Sequence, residues 1–193
     1  MTGQSKFNRS PVSGRTYALT RIALLTSLVS VGRLTFSFIP NVQPMTVLLI
    51  CITFYYGWKR GLTVALLSVL ITNLYLGMGP WTVAQIGGFA ALILLSNMFK
   101  NSHRNTPLIY LQIYVAFLGI LYGLVVSVLQ APIIGWNILI PYYLSGLGYD
   151  LLHAAGNAVF FPILYPACMR VFKMADASAL EKRSTQKKGE TNE

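Results

Sequence analysis

The sequence predicts an all-α integral membrane bundle of six transmembrane helices, with the N- and C-termini both on the cytoplasmic side. Composition is the first reason: 54% of the 193 residues are hydrophobic and only 10% are charged, against roughly 25% charged in an average soluble domain. The apolar residues also fall in six separate runs, and the basic residues cluster between alternate runs. Such a pattern is typical of a multi-pass membrane protein.

Each apolar run is a candidate membrane span, because a helix needs about 20 residues to cross a hydrocarbon core of about 30 Å. The second and third runs are short, and the sixth is longer than one span requires. Glycines and prolines within the sixth run predict that it tilts or kinks, or that its first part belongs to the preceding loop. The runs lie at 17–38, 45–56, 61–76, 81–99, 108–129 and 142–172.

The segments outside these runs are polar and basic. Residues 1–15 are predicted to form a basic cytoplasmic N-terminal tail. The apolar run that follows is too long for a cleaved signal peptide and contains arginines, which such a peptide would not have in its apolar region. Residues 174–193 are polar and charged, which predicts a disordered cytoplasmic tail. The transmembrane domain is therefore expected at 16–173.

The distribution of basic residues predicts the orientation. If six helices alternate, fourteen of the fifteen Lys and Arg residues lie on one side, and the connectors 39–44, 77–80 and 130–141 carry none. By the positive-inside rule the basic side is the cytoplasm. The net charge of +10 is therefore interpreted as a topology signal, not as a nucleic-acid interface. The basic C-terminal tail is either a solvated charge run or a surface for acidic lipid or nucleic acid.

Motifs for catalysis or metal binding are missing from the sequence. It contains no His-Glu-x-x-His, no carboxylate pair and no phosphate-binding glycine loop. Tyr143-Leu-Ser-Gly146 is a weak substitute for the Gly-x-Ser-x-Gly of a serine nucleophile. Cys51 and Cys168 lie in apolar runs without ligand spacing, which predicts buried free thiols. We therefore expect neither an enzyme nor a resident cofactor.

Two ionisable residues interrupt the predicted spans. Arg33 lies sixteen positions into the first apolar run, about 24 Å along it at 1.5 Å per residue. Asp150 is the only acidic residue in the predicted membrane region. Ionisable groups in a membrane are costly and suggest a functional site. We expect Arg33 and Asp150 to face each other, either at an outward-opening cavity or as an ion pair that fixes helix packing.

Uncharged polar and aromatic residues lie at about the same membrane depth as Arg33 and Asp150. Amides and indoles can bind an organic solute through hydrogen bonds and stacking. Trp81 and Gln85 are one turn apart and share a helix face. The loop aromatics Trp136 and Tyr142 are equally explained by the aromatic belt of a membrane protein. The candidate solute-binding residues are Arg33, Asn41, Gln43, Asn73, Trp81, Gln85, Tyr143, Asp150 and Asn157.

Small residues are spaced four apart in the first run, at Ala23 and Ser27 and again at Thr26 and Ser30. This spacing lets a second helix approach closely in lipid. The neighbour is either another subunit or one of this chain's own helices.

The chain resembles the substrate-binding S-components of energy-coupling factor vitamin transporters over roughly residues 16–173. The most specific runs are Val31-Gly-Arg-Leu-Thr-Phe-Ser-Phe-Ile-Pro-Asn-Val-Gln-Pro-Met-Thr46, then Asn73, then Gly77-Met-Gly-Pro-Trp-Thr-Val-Ala-Gln85. They look most like the branch associated with cobalamin uptake. Pantothenate, folate or a queuosine precursor would need similar polar groups.

The resemblance implies a six-helix substrate-binding domain in the bacterial plasma membrane that takes a vitamin from outside. It also implies a transmembrane coupling subunit and two cytoplasmic ATPase subunits as partners. Ala23 and Ser27 match the family's small-xxx-small contact with the coupling subunit, although family members commonly have Ala at both positions. The alternatives are a non-transporting membrane scaffold of the cell-shape type and an intramembrane enzyme. A scaffold has no reason to gather amides and Trp81 at one face.

Overall fold

The computed structural model describes residues 14–190, with side chains described through residue 180, and this range is all-helical. Residues 1–13 of the predicted N-terminal tail lie outside the described residues. Five helices are long and apolar enough to cross a membrane, and α2 is a shorter apolar helix. The helices are α1 Gly14–Thr35, α2 Met45–Tyr56, α3 Trp58–Leu76, α4 Pro80–Met98, α5 Leu108–Ile134 and α6 Leu139–Glu190, with a 3-10 turn at Trp136–Ile138.

Helix α2 occupies the centre of the bundle. It contacts α1, α3, α4 and α6, and all ten residues from Met45 to Phe54 are buried. A helix that is apolar on every side is stable only when it is surrounded. Its polar side chains are satisfied internally: Thr53 Oγ1 donates to Leu49 O at 2.8 Å, and Thr46 Oγ1 lies 2.7 Å from His153 Nε2 of α6.

The other helices surround α2 in the spatial order α1, α3, α4, α5, α6. Their outer faces expose large apolar side chains, among them Leu24, Leu74, Ile113, Phe117 and Ile163. A soluble monomer rarely exposes apolar patches on this scale. Such outer faces are consistent with a multi-pass membrane protein.

The α2–α3 boundary differs from the sequence prediction. A single residue, Gly57, makes the turn at φ 91°, a conformation that glycine adopts without a Cβ penalty. Its N–H donates to Thr53 O at 2.9 Å and caps α2. Lys59 and Arg60 were expected in a connector, but they lie in the first turn of α3.

The last two helices are longer than predicted. Helix α5 continues through Pro132 to Ile134, so the predicted loop 130–141 reduces to Gly135 and the 3-10 turn. Helix α6 is α-helical through Pro162 and Pro166.

Helix α6 continues past residue 174, from which the sequence predicts disorder, and ends at Glu190; the disorder itself stays a prediction. This stretch contains three Ala and three Lys and has no glycine or proline before Gly189. These residues are good helix formers.

The basic side chains of α1 and α3 meet α6 at one end of the bundle, which we call the basic end. There the Arg21 guanidinium forms an ion pair with Asp176 of α6. The guanidinium groups of Arg21 and Arg60 lie 4.8 and 5.4 Å from the centre of the Tyr56 ring. Lys100 covers Gly57 at the same end.

The α4–α5 connector is also fixed at the basic end. The ring of His103 stacks on Phe54 with 4.8 Å between ring centres, and its Nδ1 lies 2.9 Å from the Tyr165 hydroxyl. Burial, together with the nearby Arg104, lowers the pKa of His103. The neutral imidazole is therefore favoured in this packed position.

Helices α5 and α6 approach closely at Gly119. A Cβ on Gly119 would lie 2.7 Å from the backbone N and 2.8 Å from the Cα of Ala154. Small residues permit this separation between helices in lipid. By contrast, Gly148 of α6 has open space around the position of a Cβ.

We expect Gly119→Ala to destabilise the protein by about 1–3 kcal/mol, because the new methyl group must push the α6 backbone away. The matched change Gly148→Ala should be neutral or stabilising by up to about 1 kcal/mol, since alanine favours a helix. Thermal unfolding in detergent can be followed with a thiol-reactive dye, because Cys51 and Cys168 are buried free thiols. Equal melting temperatures for the two variants would contradict this account of the α5–α6 contact.

Candidate functional site

A cavity of about 610 Å³ opens at the end of the bundle opposite the basic end. Helices α1, α3, α4, α5 and α6 and the connector 36–44 supply its walls, and the cavity lies beyond the N-terminus of α2. Its volume is typical of small-molecule sites. Six of the nine predicted site residues line it: Arg33, Asn41, Gln43, Trp81, Gln85 and Asp150.

Arg33 is the cation of the cavity. Its side chain is only 6% exposed. Nη1 donates to Thr72 Oγ1 at 2.6 Å, and Nη2 donates to Gln85 Oε1 at 3.4 Å. The Thr72 hydroxyl in turn donates to Ser68 O at 2.7 Å. These partners are neutral, so they orient the guanidinium without cancelling its charge.

Asn73 supports the cavity wall and does not line it. It is 1% exposed, and its Nδ2 lies 2.9 Å from both Gln85 Oε1 and Thr82 Oγ1. The last turn of α3 therefore fixes the first turns of α4, and with them Gln85. The prediction that Asn73 lines the site differs from this placement, because its amide is used up between the two helices.

Asp150 is the anion of the cavity and is 5% exposed. Its carboxylate occupies the space that a side chain at Gly123 of α5 would fill. Among the described side chains, Asp150 makes no hydrogen bond or ion pair. Of the two expected arrangements, the Arg33–Asp150 ion pair is therefore not formed, and both residues line the same cavity.

The connector 36–44 closes one side of the cavity mouth. Asn41 has φ 58°, a left-handed conformation that asparagine tolerates. Its Nδ2 donates to Tyr149 O of α6 at 3.2 Å. Nearby, Gly156 of α6 accommodates Val42, whose Cα lies 3.3 Å from where a Cβ would be. The connector is thus fixed to α6.

Two predicted residues lie away from the cavity lining. Asn157 is fully buried and donates from Nδ2 to Val115 O at 3.2 Å, linking α6 to α5. Tyr143 is half-buried on α6 and does not contribute to the lining. In α6 the residues that face the cavity are Tyr142, Ser145, Gly146, Tyr149 and Asp150.

Helix α5 contributes lining residues that the sequence analysis missed. Tyr122, Ser127 and Gln130 all line the cavity. They are polar interruptions in an apolar run, and Ser127 and Gln130, three residues apart, share a helix face. This spacing was the available signal. Trp81 and Gln85 both line the cavity, as their spacing predicted.

Helix α1 presents a second exposed surface. Ala23 and Ser27 are exposed together with Leu24 and Leu28, and Ser27 Oγ donates to Ala23 O at 2.9 Å within the helix. By contrast, the other small pair, Thr26 and Ser30, is buried on the opposite face. Packing within this chain therefore accounts for Thr26 and Ser30 and leaves Ala23 and Ser27 open.

The cavity combines one cation, one anion, amides, hydroxyls and aromatic rings. Such a set can recognise an organic solute through hydrogen bonds and stacking. Comparison of the chain with protein-family models, curated proteins and solved structures finds no significant match. The resemblance to S-components therefore stays a prediction from the sequence.

Proposed function

We propose that this chain is the substrate-binding S-component of an energy-coupling factor importer, which captures a vitamin for ATP-driven uptake by partner subunits. The observation that carries the proposal is the cavity of about 610 Å³, with Arg33 held inside it by Thr72 and Gln85. A non-transporting scaffold needs no such site. Burying a cation among neutral groups in a membrane costs free energy, which ligand binding can offset.

In the proposed orientation six helices cross the bacterial plasma membrane and both termini are cytoplasmic. Arg21, Arg60 and Lys100 lie at the basic end, and the connectors at the cavity end contain no Lys or Arg. The positive-inside rule then directs the cavity outward. Helix α2 is too short to span the hydrocarbon core by itself. It is surrounded by the other helices, so its ends are not exposed to lipid.

The proposed partners are a transmembrane coupling subunit and two cytoplasmic ATPase subunits. The exposed face of α1 around Ala23 and Ser27 supports a helix-to-helix contact in lipid, because small residues allow close approach. The resemblance favours cobalamin as the vitamin, with pantothenate, folate and a queuosine precursor as alternatives. No catalytic activity or resident cofactor is part of the proposal.

Isothermal titration of the purified chain with these vitamins should give binding heat with one of them. Arg33→Gln should weaken that binding by about 2 kcal/mol or more, since it removes a buried charged contact. Arg170→Gln is the matched control, because Arg170 is exposed on α6. Absence of heat with every one of these vitamins and with the charge series described below would favour the scaffold.

Cysteine labelling of intact cells tests the orientation. In a background without Cys51 and Cys168, a membrane-impermeant reagent should modify Trp81→Cys in intact cells, because Trp81 is 45% exposed at the cavity end. Lys100→Cys should react only after permeabilisation. The reverse result would invert the proposed topology and remove the outward-facing site.

Bulky residues on the open face of α1 test the partner contact. Ala23→Trp and Ser27→Trp should leave vitamin binding by the purified chain unchanged and abolish uptake, because they block close helix approach. Leu19→Trp is a control on a residue that is already large and 68% exposed, and it should retain uptake. Loss of binding in the Ala23 and Ser27 variants would instead assign these residues to the packing of the bundle.

A further inference from the structure

The cavity contains two opposite charges that do not neutralise each other. Arg33 and Asp150 are 6% and 5% exposed, and both line it. Within the part of the chain whose side chains are described, the ion pair is Arg21–Asp176 at the basic end. The hydrogen-bond partners of Arg33 are the neutral Thr72 and Gln85.

Both charges are held in place by the fold. Thr72 and Gln85 accept two hydrogen bonds from Arg33, which leaves further N–H groups of its five for another acceptor. Gly123 lacks a side chain where the Asp150 carboxylate lies, so that carboxylate packs against the α5 backbone. A larger residue at position 123 would displace it from this wall.

Two separated buried charges favour a solute that supplies the missing partner of each. An isolated ion in a protein interior is costly, and its cost falls when a hydrogen-bonded counter-ion reaches it. The guanidinium can bind a carboxylate or phosphate with two parallel hydrogen bonds. The carboxylate of Asp150 accepts hydrogen bonds, as a protonated amine or amidine requires.

We propose that the transported solute is dipolar, with an anionic group bound by Arg33 and a cationic nitrogen bound by Asp150. This inference rests on the proposed function and narrows its substrate class. The cavity of about 610 Å³ suits a solute of ordinary small-molecule size. Trp81, Tyr122 and Tyr142 in the lining supply rings on which a planar part of the solute can stack.

The test is a titration series on one pyridine scaffold, in which the anionic and the cationic side group are present together, singly or not at all. Pyridoxamine 5′-phosphate carries both charges, pyridoxine 5′-phosphate only the anion, pyridoxamine only the cation, and pyridoxine neither side-group charge. These probes are measured at neutral pH beside the four vitamins of the proposed function. We expect the tightest ligand in the whole panel to be dipolar, and loss of either charge to weaken binding about thirtyfold or more.

The outcomes separate the two proposals. A tightest ligand that lacks either the anionic or the cationic group overturns the dipolar inference and leaves the vitamin-binding function standing. Absence of binding by every compound overturns both.

Variants of the protein test which side chain binds each charged group of the ligand. Arg33→Gln and Asp150→Asn should each weaken binding of the dipolar ligand about thirtyfold or more, and Arg33→Gln should weaken binding of its cation-only analogue far less. An equal loss of affinity for both ligands would assign Arg33 a packing role and overturn the proposed contact between Arg33 and the anionic group of the ligand. The control Arg170→Gln should keep wild-type affinity. If either variant fails to fold, the ligand series with the unaltered chain decides.

Discussion

The central position of the short helix α2 is the constraint on which the rest of the structure depends. Its 12 residues extend about 18 Å, whereas the hydrocarbon core is about 30 Å thick. The surrounding helices are longer than α2. Helix α2 therefore fills the centre of the bundle over only part of its depth, and the centre is open beyond Met45, where α2 begins. The cavity occupies this open part, and the connector 36–44 that leads into α2 supplies its Asn41 and Gln43.

The charged residues also differ between the two ends of the bundle. At the basic end Arg21 is matched by Asp176 and by aromatic rings. At the cavity end Arg33 is matched only by neutral hydrogen-bond acceptors. A charge with a counter-ion contributes to a fixed structure, whereas one without a counter-ion remains available to a ligand. This difference separates a structural arginine from a candidate binding arginine on the same helix.

The sequence predicted much of this arrangement, because hydrophobic runs and basic connectors directly reflect the lipid environment. It also grouped Arg33, Trp81, Gln85 and Asp150, because their positions along the predicted spans place them at a similar depth and helix periodicity puts Trp81 and Gln85 on one face. It left open whether Arg33 and Asp150 pair or face a cavity, because that choice depends on Gly123 and on acceptors from α3 and α4. The positions of Asn73 and Asn157 outside the lining could not be predicted for a similar reason: an amide can bind a ligand or a neighbouring helix, and only tertiary packing decides which.

The length of α6 has a geometric consequence. Its 52 residues have a contour length of about 78 Å at 1.5 Å per residue, well over twice the thickness of the hydrocarbon core. The part beyond Asp176 is joined without interruption to the wall that carries Asp150. Because the two parts belong to one helix, a tilt of the cavity wall that carries Asp150 also displaces the segment beyond Asp176.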